Sequence, residues 1–420
     1  MLTGALIGPV LAPHQGEAPL LRLFWLPVYA VVAGLVLLRF KTIARSWPAV
    51  LAWACIVTLA FASKYWSIDP SLTSRRVIAM IFSGSFAMYL GATFHGPHLP
   101  RLLARCVFIL GLMSIAMVVA VPSIGIHSDV NAGMWRGVWY EKNQMGMVMT
   151  AGATAAAAWA ASEDRLWKMP LLTILLCVLL VLATRSKTSL LCIILGVGMV
   201  GALWTLKRGG PALGVAAVWM GVVAGAVGWW LWTYESAEIL AALGKDPSLT
   251  GRTGIWDAVF AKIAERPWSG YGYNAFWGAE STPALWVRYQ TGWLVPSAHN
   301  GWIDLLVQLG WIGVILVGTI VGLTYVLTLL RLPTAGLREG FWGIAYLSVY
   351  ILLTFSESVL VSAQSLPWTL CLTILARAAY REPAFDRVAL APRRRGAYQS
   401  GPRITADCVD GRPILHARRR

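Results

Sequence analysis

Gly301-Trp302-Ile303-Asp304-Leu305-Leu306-Val307-Gln308-Leu309-Gly310-Trp311-Ile312-Gly313-Val314, continuing apolar as far as Leu329, is the stretch whose reading decides the fold. It is long enough to cross a hydrocarbon core of roughly 30 Å as a helix. Asn300, Asp304 and Gln308 follow at i, i+4 and i+8, so a polar stripe enters the apolar segment on one face. Lipid would leave that stripe unsatisfied; it faces either neighbouring helices, as helix-helix hydrogen bonds, or a water-filled cavity. His299 stands at its mouth, where a near-neutral imidazole at a wet membrane boundary is suited to act as a base.

Similar runs recur along the chain. Of 420 residues, 57% are hydrophobic and 13% charged, against roughly 25% charged in an ordinary soluble domain. A water-soluble protein could not cover its surface with so few charges. Eleven candidate spans follow, at 20–38, 48–62, 77–94, 102–121, 143–161, 169–183, 189–206, 211–232, 301–329, 341–355 and 359–376. The expected fold is all-α, a polytopic transmembrane bundle of 11–12 spans, the twelfth being a stunted one at 2–12. No cleavable signal is expected, because Met1 to Ala12 lacks a basic start. Six cysteines lie far apart without paired spacing and read as small core residues rather than disulfide or metal ligands. The alanine-rich 151–161 is suited to close helix packing.

The net charge of +16 does not point to nucleic acid, since 377–420 alone contributes eleven arginines against four acidic residues. That segment reads as a basic, disordered cytoplasmic tail able to lie on anionic lipid, following a membrane domain at 1–376. Arg39, Lys41, Arg45, Arg101, Arg105, Arg165, Lys168, Lys207, Arg208, Arg331 and Arg338 fall on the tail's side, which the positive-inside rule makes cytoplasmic. The opposite face still keeps Lys64, Arg75, Arg76, Arg136, Lys142, Arg185, Lys187, Lys245, Arg252, Lys262, Arg266 and Arg288 near helix ends. An anionic substrate held at the membrane surface would explain them as a set; snorkelling to headgroups explains most of them singly.

The largest outer loop, 234–300, carries the densest set of such groups. Ile255, Trp256, Val259, Phe260 and Ile263 recur at helical spacing and predict an amphipathic helix, with Arg252 at its start and Pro267 stopping it. Backbone N-H groups and a guanidinium would then point the same way, which suits a diphosphate; a helix merely capping the bundle is the plainer reading. Gly270-Tyr271-Gly272-Tyr273 is a glycine turn with aromatic flanks, too short and wrongly placed for a nucleotide-binding loop.

In order, the motifs Gly-Arg-x-x-x-Trp from Gly251, Arg-Pro-x-x-Gly-x-Gly from Arg266, Ala-His-Asn-x-x-x-Asp from Ala298 and Leu-Gly-x-x-Gly from Leu309 resemble the O-antigen ligase and Wzy-type polysaccharide polymerase family. Two earlier segments agree. Trp135 to Gly146 is similar to the family's glycine-rich turn ending in Lys-Asn-x-x-Gly, and Thr184-Arg185-Ser186-Lys187-Thr188-Ser189 stands where the family has a Ser-Arg or Ser-Lys pair. Ligases usually carry arginine at the position of Lys187. The Ser-Lys form, with Glu357 in Phe355-Ser356-Glu357-Ser358, looks more like exopolysaccharide polymerases of the succinoglycan type.

The resemblance implies a bundle of the GT-C type on the periplasmic face of the bacterial inner membrane. It implies metal-independent, inverting transfer without a cofactor, from an undecaprenyl diphosphate-linked glycan donor to an acceptor. Carried onto this chain, Arg252 and Lys187 hold the diphosphate as it leaves, while His299 orients or deprotonates the acceptor hydroxyl. Arg185, Arg136, Lys142, Asn300, Arg266, Glu357 and Asp304 are the expected substrate-binding residues, with Glu357 able to pair with a cation or to be an ordinary helix-end carboxylate. The expected function is polymerisation of lipid-linked repeat units into an exopolysaccharide, with a chain-length-regulating membrane protein as a possible partner. A ligase moving a finished glycan onto lipid A core or protein, and a transporter or flippase of lipid-linked sugars, are the alternatives.

Overall fold

The computed structural model describes residues 9, 19–129, 131–163, 168–234, 252–292, 294–363, 365–381, 405–409 and 412–416. The chain divides into two compact units, Met1–Arg381 and Glu382–Arg420. Apolar runs become helices because a helix satisfies its own backbone groups where water is absent. In the first unit these are α1 (Pro19–Leu38), α2 (Trp47–Ala62), α3 (Pro70–Thr93), α4 (His98–Ala120), α5 (Lys142–Ser162), α6 (Lys168–Thr184), α7 (Lys187–Tyr234), α8 (Arg252–Glu265), α9 (Thr282–Thr291), α10 (Gly301–Ala335), α11 (Trp342–Ser356) and α12 (Leu366–Ala378). Ten of the eleven expected spans lie along a helix or half-helix, 189–206 and 211–232 being the two arms of α7 on either side of a break at Gly210, whereas the span expected at 359–376 becomes helical only from Leu366. Among the described residues, five helices are long and apolar enough to cross a membrane by length and composition, and four shorter ones are apolar. The chain is an all-α, multi-pass membrane protein. The extra span expected at 2–12 lies outside the described residues apart from Pro9.

Helix starts follow local chemistry. Asp69 caps α3 by accepting from Leu72 N at 2.9 Å, with Pro70 in the first turn. Ser281 caps α9, which ends at Gly292 in the left-handed region. The core helix is α5, buried almost all round from Met145 to Trp159. Its alanines and glycines let neighbours approach: a Cβ at Gly152 would stand 2.3 Å from Val107 of α4, and one at Gly146 would stand 2.2 Å from the Ser189 hydroxyl of α7. The cysteine expectation is half right, for Cys177, Cys192 and Cys371 are buried while Cys55 and Cys106 are exposed on the bundle surface.

One end of the bundle binds its arginines internally. Arg377 meets Glu339 at 2.7 Å, Arg101 pairs with Glu163, Arg331 donates to the Ala378 carbonyl at 3.2 Å and Arg45 to the Tyr380 hydroxyl at 3.2 Å. Arg377 is thus the last turn of α12 and not the start of a tail, and the unit boundary falls after Arg381. Within the second unit, Thr405–Val409 and Arg412–His416 form an antiparallel hairpin with Thr405 opposite His416, inside the segment expected to be disordered.

The departure that matters most lies in α10. Thirty-five residues of helix would reach about 52 Å, but Gly310, with φ 64 and ψ −167, breaks it. The loop before α10 takes up the freed backbone groups. Tyr271 N donates to Val307 O, Gly272 N to Gln308 O and Trp311 N to Pro267 O, each at 2.9 Å. A Cβ on Gly310 would stand 2.2 Å from the Trp268 carbonyl, and one on Gly270 would stand 2.5 Å from that of Gln308, so these glycines let two backbones touch. The first arm of α10 is accordingly buried between two cores: Leu305 and Leu309 join the main one, while Ile303, Leu306 and Val307 pack in a smaller one with Ile255, Val259 and Ile263 of α8, Ala284 and Val287 of α9, and Phe276. Beyond the break, Trp311, Ile312 and Ile315 are exposed on the surface of the bundle.

Candidate active site

The polar stripe of α10 resolves in favour of protein contacts. Asn300 caps the helix by accepting from Trp302 N at 3.0 Å and Ile303 N at 3.3 Å. Asp304 Oδ1 accepts from Trp277 Nε1 at 2.7 Å and from Ala298 N at 3.1 Å. Gln308 Oε1 accepts from Asn274 N at 2.9 Å. Asn300 and Asp304, expected to bind substrate, are therefore occupied with holding the loop. Asp304 also helps fix the residue before His299, because Ala298 donates its N-H to Asp304 while its carbonyl accepts from Trp256 Nε1, 2.9 Å away.

His299 adopts φ 50, in the left-handed region, as does Arg185 at φ 53. A non-glycine residue there costs roughly 1–3 kcal/mol and persists only when its surroundings impose it. The imidazole is half-buried, and burial followed by the Arg252 guanidinium pushes it down to about 4, so it is neutral at pH 7.

The outer cations sort by what they already hold. Arg136 donates to the Ile124 carbonyl at 2.7 Å and the Ser123 carbonyl at 3.0 Å, pinning a turn. Arg266 donates to Trp66 O at 3.3 Å and lies over the Tyr271 ring, while Arg288 serves the carbonyls of Val295, Gly278 and Trp277. Lys262 meets Glu265 at 2.6 Å. Lys142 lies 2.9 Å from Met134 Sδ, and its backbone N-H donates to His127 Nε2 at 3.2 Å. The side chains of Arg185, Lys187 and Arg252, by contrast, have no hydrogen bond or ion pair among the described residues.

Arg252 opens α8, and its charge acts on both His299 and Glu357. Glu357 follows the last residue of α11 and accepts from Asn143 Nδ2 at 2.9 Å, at the start of α5. Burial pushes Glu357 up to about 7, with Arg252 pulling the other way. Its backbone lies against Gly301, where a Cβ would stand 3.3 Å from the Glu357 carbonyl oxygen. The structure thus brings together His299, Arg252, Glu357, Lys142 and Asn143. Arg185 and Lys187 flank Ser186, whose hydroxyl is 3.0 Å from that of Ser189, and Ser189 packs on Gly146, one turn beyond Asn143. Sequence reading missed Asn143 as a site residue; the signal was its place in Lys142-Asn143 at a helix start.

Such a set can hold an anion at Arg252 beside a neutral imidazole and a carboxylate, the elements of transfer away from an anionic leaving group. Residues 172–318 match the family described as O-antigen ligase. The chain is 27% identical over 282 residues to the exopolysaccharide production protein ExoQ of Rhizobium meliloti (strain 1021), over 64% of this chain and 62% of that protein, so the match spans less than two thirds of its relative. A chain in a solved structure described as "Structural coordination of polymerization and crosslinking by a peptidoglycan synthase complex" aligns over 80% of this chain and 98% of its own at 18% identity, with a TM-score of 0.42. The O-antigen ligase match runs from α6 into α10 and includes Arg185, Lys187, Arg252 and His299, and together with the likeness to ExoQ it supports a place for the chain in the O-antigen ligase and Wzy-type polysaccharide polymerase family.

Proposed function

We propose that this protein polymerises undecaprenyl diphosphate-linked oligosaccharide repeat units into an exopolysaccharide, at the periplasmic face of the bacterial inner membrane, by inverting and metal-independent transfer. The observation that carries the reading is Arg252, a guanidinium without a partner among the described residues, whose charge acts on His299 and Glu357. A diphosphate leaving group gathers negative charge in the transition state, and a preorganised cation aimed at it lowers the barrier. Arg252 takes that place, with Lys187 and Arg185 supplying charge from the start of α7. His299 orients or deprotonates the acceptor hydroxyl. The likeness to an exopolysaccharide production protein favours a polymer product.

A ligase transferring a finished glycan to lipid A core or protein is the second reading, favoured by the O-antigen ligase match. The transporter reading loses its polar path, because Asn300, Asp304 and Gln308 are bonded to the outer loop or to their own helix. Reconstitution with a purified lipid-linked repeat unit tests the proposal. Release of undecaprenyl diphosphate with a ladder of lengthening products is expected; one transfer to a lipid or protein acceptor would establish the ligase instead.

A further inference from the structure

Glu357 is reached from several elements at once. Its own helix, α11, ends beside it, and its backbone lies against Gly301, two residues beyond His299. The charge of Arg252 acts on it from α8, those of Glu141 and Lys142 from the start of α5, and the Cys192 thiol of α7 lies within its field. Asn143 Nδ2 holds Oε1 at 2.9 Å and is its one hydrogen-bond donor among the described residues, so the other oxygen remains available to a ligand. The Arg252 charge thus acts on both the Glu357 carboxylate and the His299 imidazole, and the backbone of Glu357 lies against Gly301, two residues after His299.

We propose that the Glu357 carboxylate, positioned by Asn143, is the base that takes the acceptor hydroxyl's proton, while His299 stays neutral and orients that hydroxyl. This inference rests on the glycosyl-transfer reading above. The acceptor oxygen forms its bond to the anomeric carbon on the face opposite the diphosphate as its proton passes to Glu357. The bond from the anomeric carbon to the diphosphate oxygen breaks, and its electron pair leaves with the diphosphate beside Arg252. Protonated Glu357 then gives its proton to water. The two environments are set apart as an acid-base division requires: His299 is pushed down to about 4 and is a weak base, whereas Glu357 is pushed up to about 7 and is poised near working pH.

The test uses the full chain in lipid nanodiscs, with a purified undecaprenyl diphosphate-linked repeat unit as substrate and undecaprenyl diphosphate as the binding probe. Glu357→Gln is expected to lower kcat by about 10²- to 10⁴-fold while leaving affinity for undecaprenyl diphosphate unchanged. The wild-type rate is expected to fall as pH drops through about 7, and that acid limb is expected to persist in the residual activity of His299→Gln and vanish in Glu357→Gln. Asn143→Ala, which removes a bond favouring the ionised carboxylate, is expected to move the limb upward, and it carries the test if the Glu357 variant fails to fold. Full turnover in Glu357→Gln, a loss confined to affinity, or a limb unmoved in Asn143→Ala would each overturn the proposal. Absence of product from the wild type overturns the glycosyl-transfer reading itself; wild-type turnover with an undisturbed Glu357→Gln overturns only the role of Glu357.

Discussion

Arg252 differs from Arg288 in what remains for it to bind. Arg288 spends its guanidinium on three carbonyls of the outer loop, so Arg288→Ala leaves buried acceptors unsatisfied. It should cost about 1–3 kcal/mol, read as a lower Tm, with turnover retained below that temperature. Arg252→Ala should do the reverse, leaving Tm near that of the wild type and cutting kcat by about 10²- to 10³-fold. It should also release His299 from one of the two influences holding it near 4, so that modification by diethyl pyrocarbonate, which needs the neutral ring, sets in at higher pH than in the wild type. Glu357 makes a separate prediction about stability. Its folded-state value is raised from 4.5 to about 7, so the neutral form stabilises the fold fully below the unfolded value, and that contribution is lost as pH rises through about 7. Glu357→Gln keeps the neutral form at every pH. The variant should therefore be close to the wild type in unfolding free energy near pH 5 and exceed it near pH 8 by on the order of 2–3 kcal/mol, read as a higher Tm; a difference independent of pH would contradict the burial of this carboxylate.

At the scale of elements, the broken helix α10 and the loop lying on it form one device. Gly310→Ala places a Cβ 2.2 Å from the Trp268 carbonyl in a left-handed conformation, so either the loop or the helix must move. A loss of about 3 kcal/mol or more is expected, visible as a lower Tm and as new proteolytic cleavage between α8 and α10. The milder Tyr273→Phe removes only the bond from the Tyr273 hydroxyl to Val361 O at 2.7 Å, a carbonyl in the loop that follows Glu357. About 1 kcal/mol is expected there. The paired glycines of the Gly-x-Gly turn and of Leu-Gly-x-x-Gly were legible as turn and close-packing signals, but not as partners, because the hydrogen bonds joining them link residues far apart in sequence. The stripe at Asn300, Asp304 and Gln308 was legible for the same periodic reason as any helix face. Its partners, Trp277, Ala298 and Asn274, belong to an irregular loop whose path no local pattern specifies.

At the scale of the whole first unit, hydrophobic length fixed nearly every helix, since lipid leaves the backbone little else to adopt. Length placed a span at 301–329, and the helix there runs Gly301–Ala335, but its break at Gly310 left no trace in the hydrophobic run. Only the arm beyond Gly310 exposes an apolar face, and 25 residues from Trp311 to Ala335 reach about 37 Å, enough for a core of roughly 30 Å. Which outer cations are committed was equally hidden, because Arg136 and Arg288 are claimed by carbonyls and not by acidic side chains that a charge pattern would reveal. Charge gives an expected sidedness, and the arrangement makes it testable. In a variant freed of native cysteines, Leu294→Cys, in the loop that shapes the site, should react with a membrane-impermeant maleimide added to intact cells whose outer envelope has been opened. Arg338→Cys, between α10 and α11, should react only after the inner membrane is permeabilised, and Ile315→Cys, exposed on α10 beyond the break, should react in neither case because lipid covers it. Labelling of Arg338→Cys from outside would invert the protein and put Arg252, His299 and Glu357 on the wrong side for a periplasmic lipid-linked substrate. Labelling of Ile315→Cys would instead move the membrane boundary deeper along α10 and leave the orientation standing.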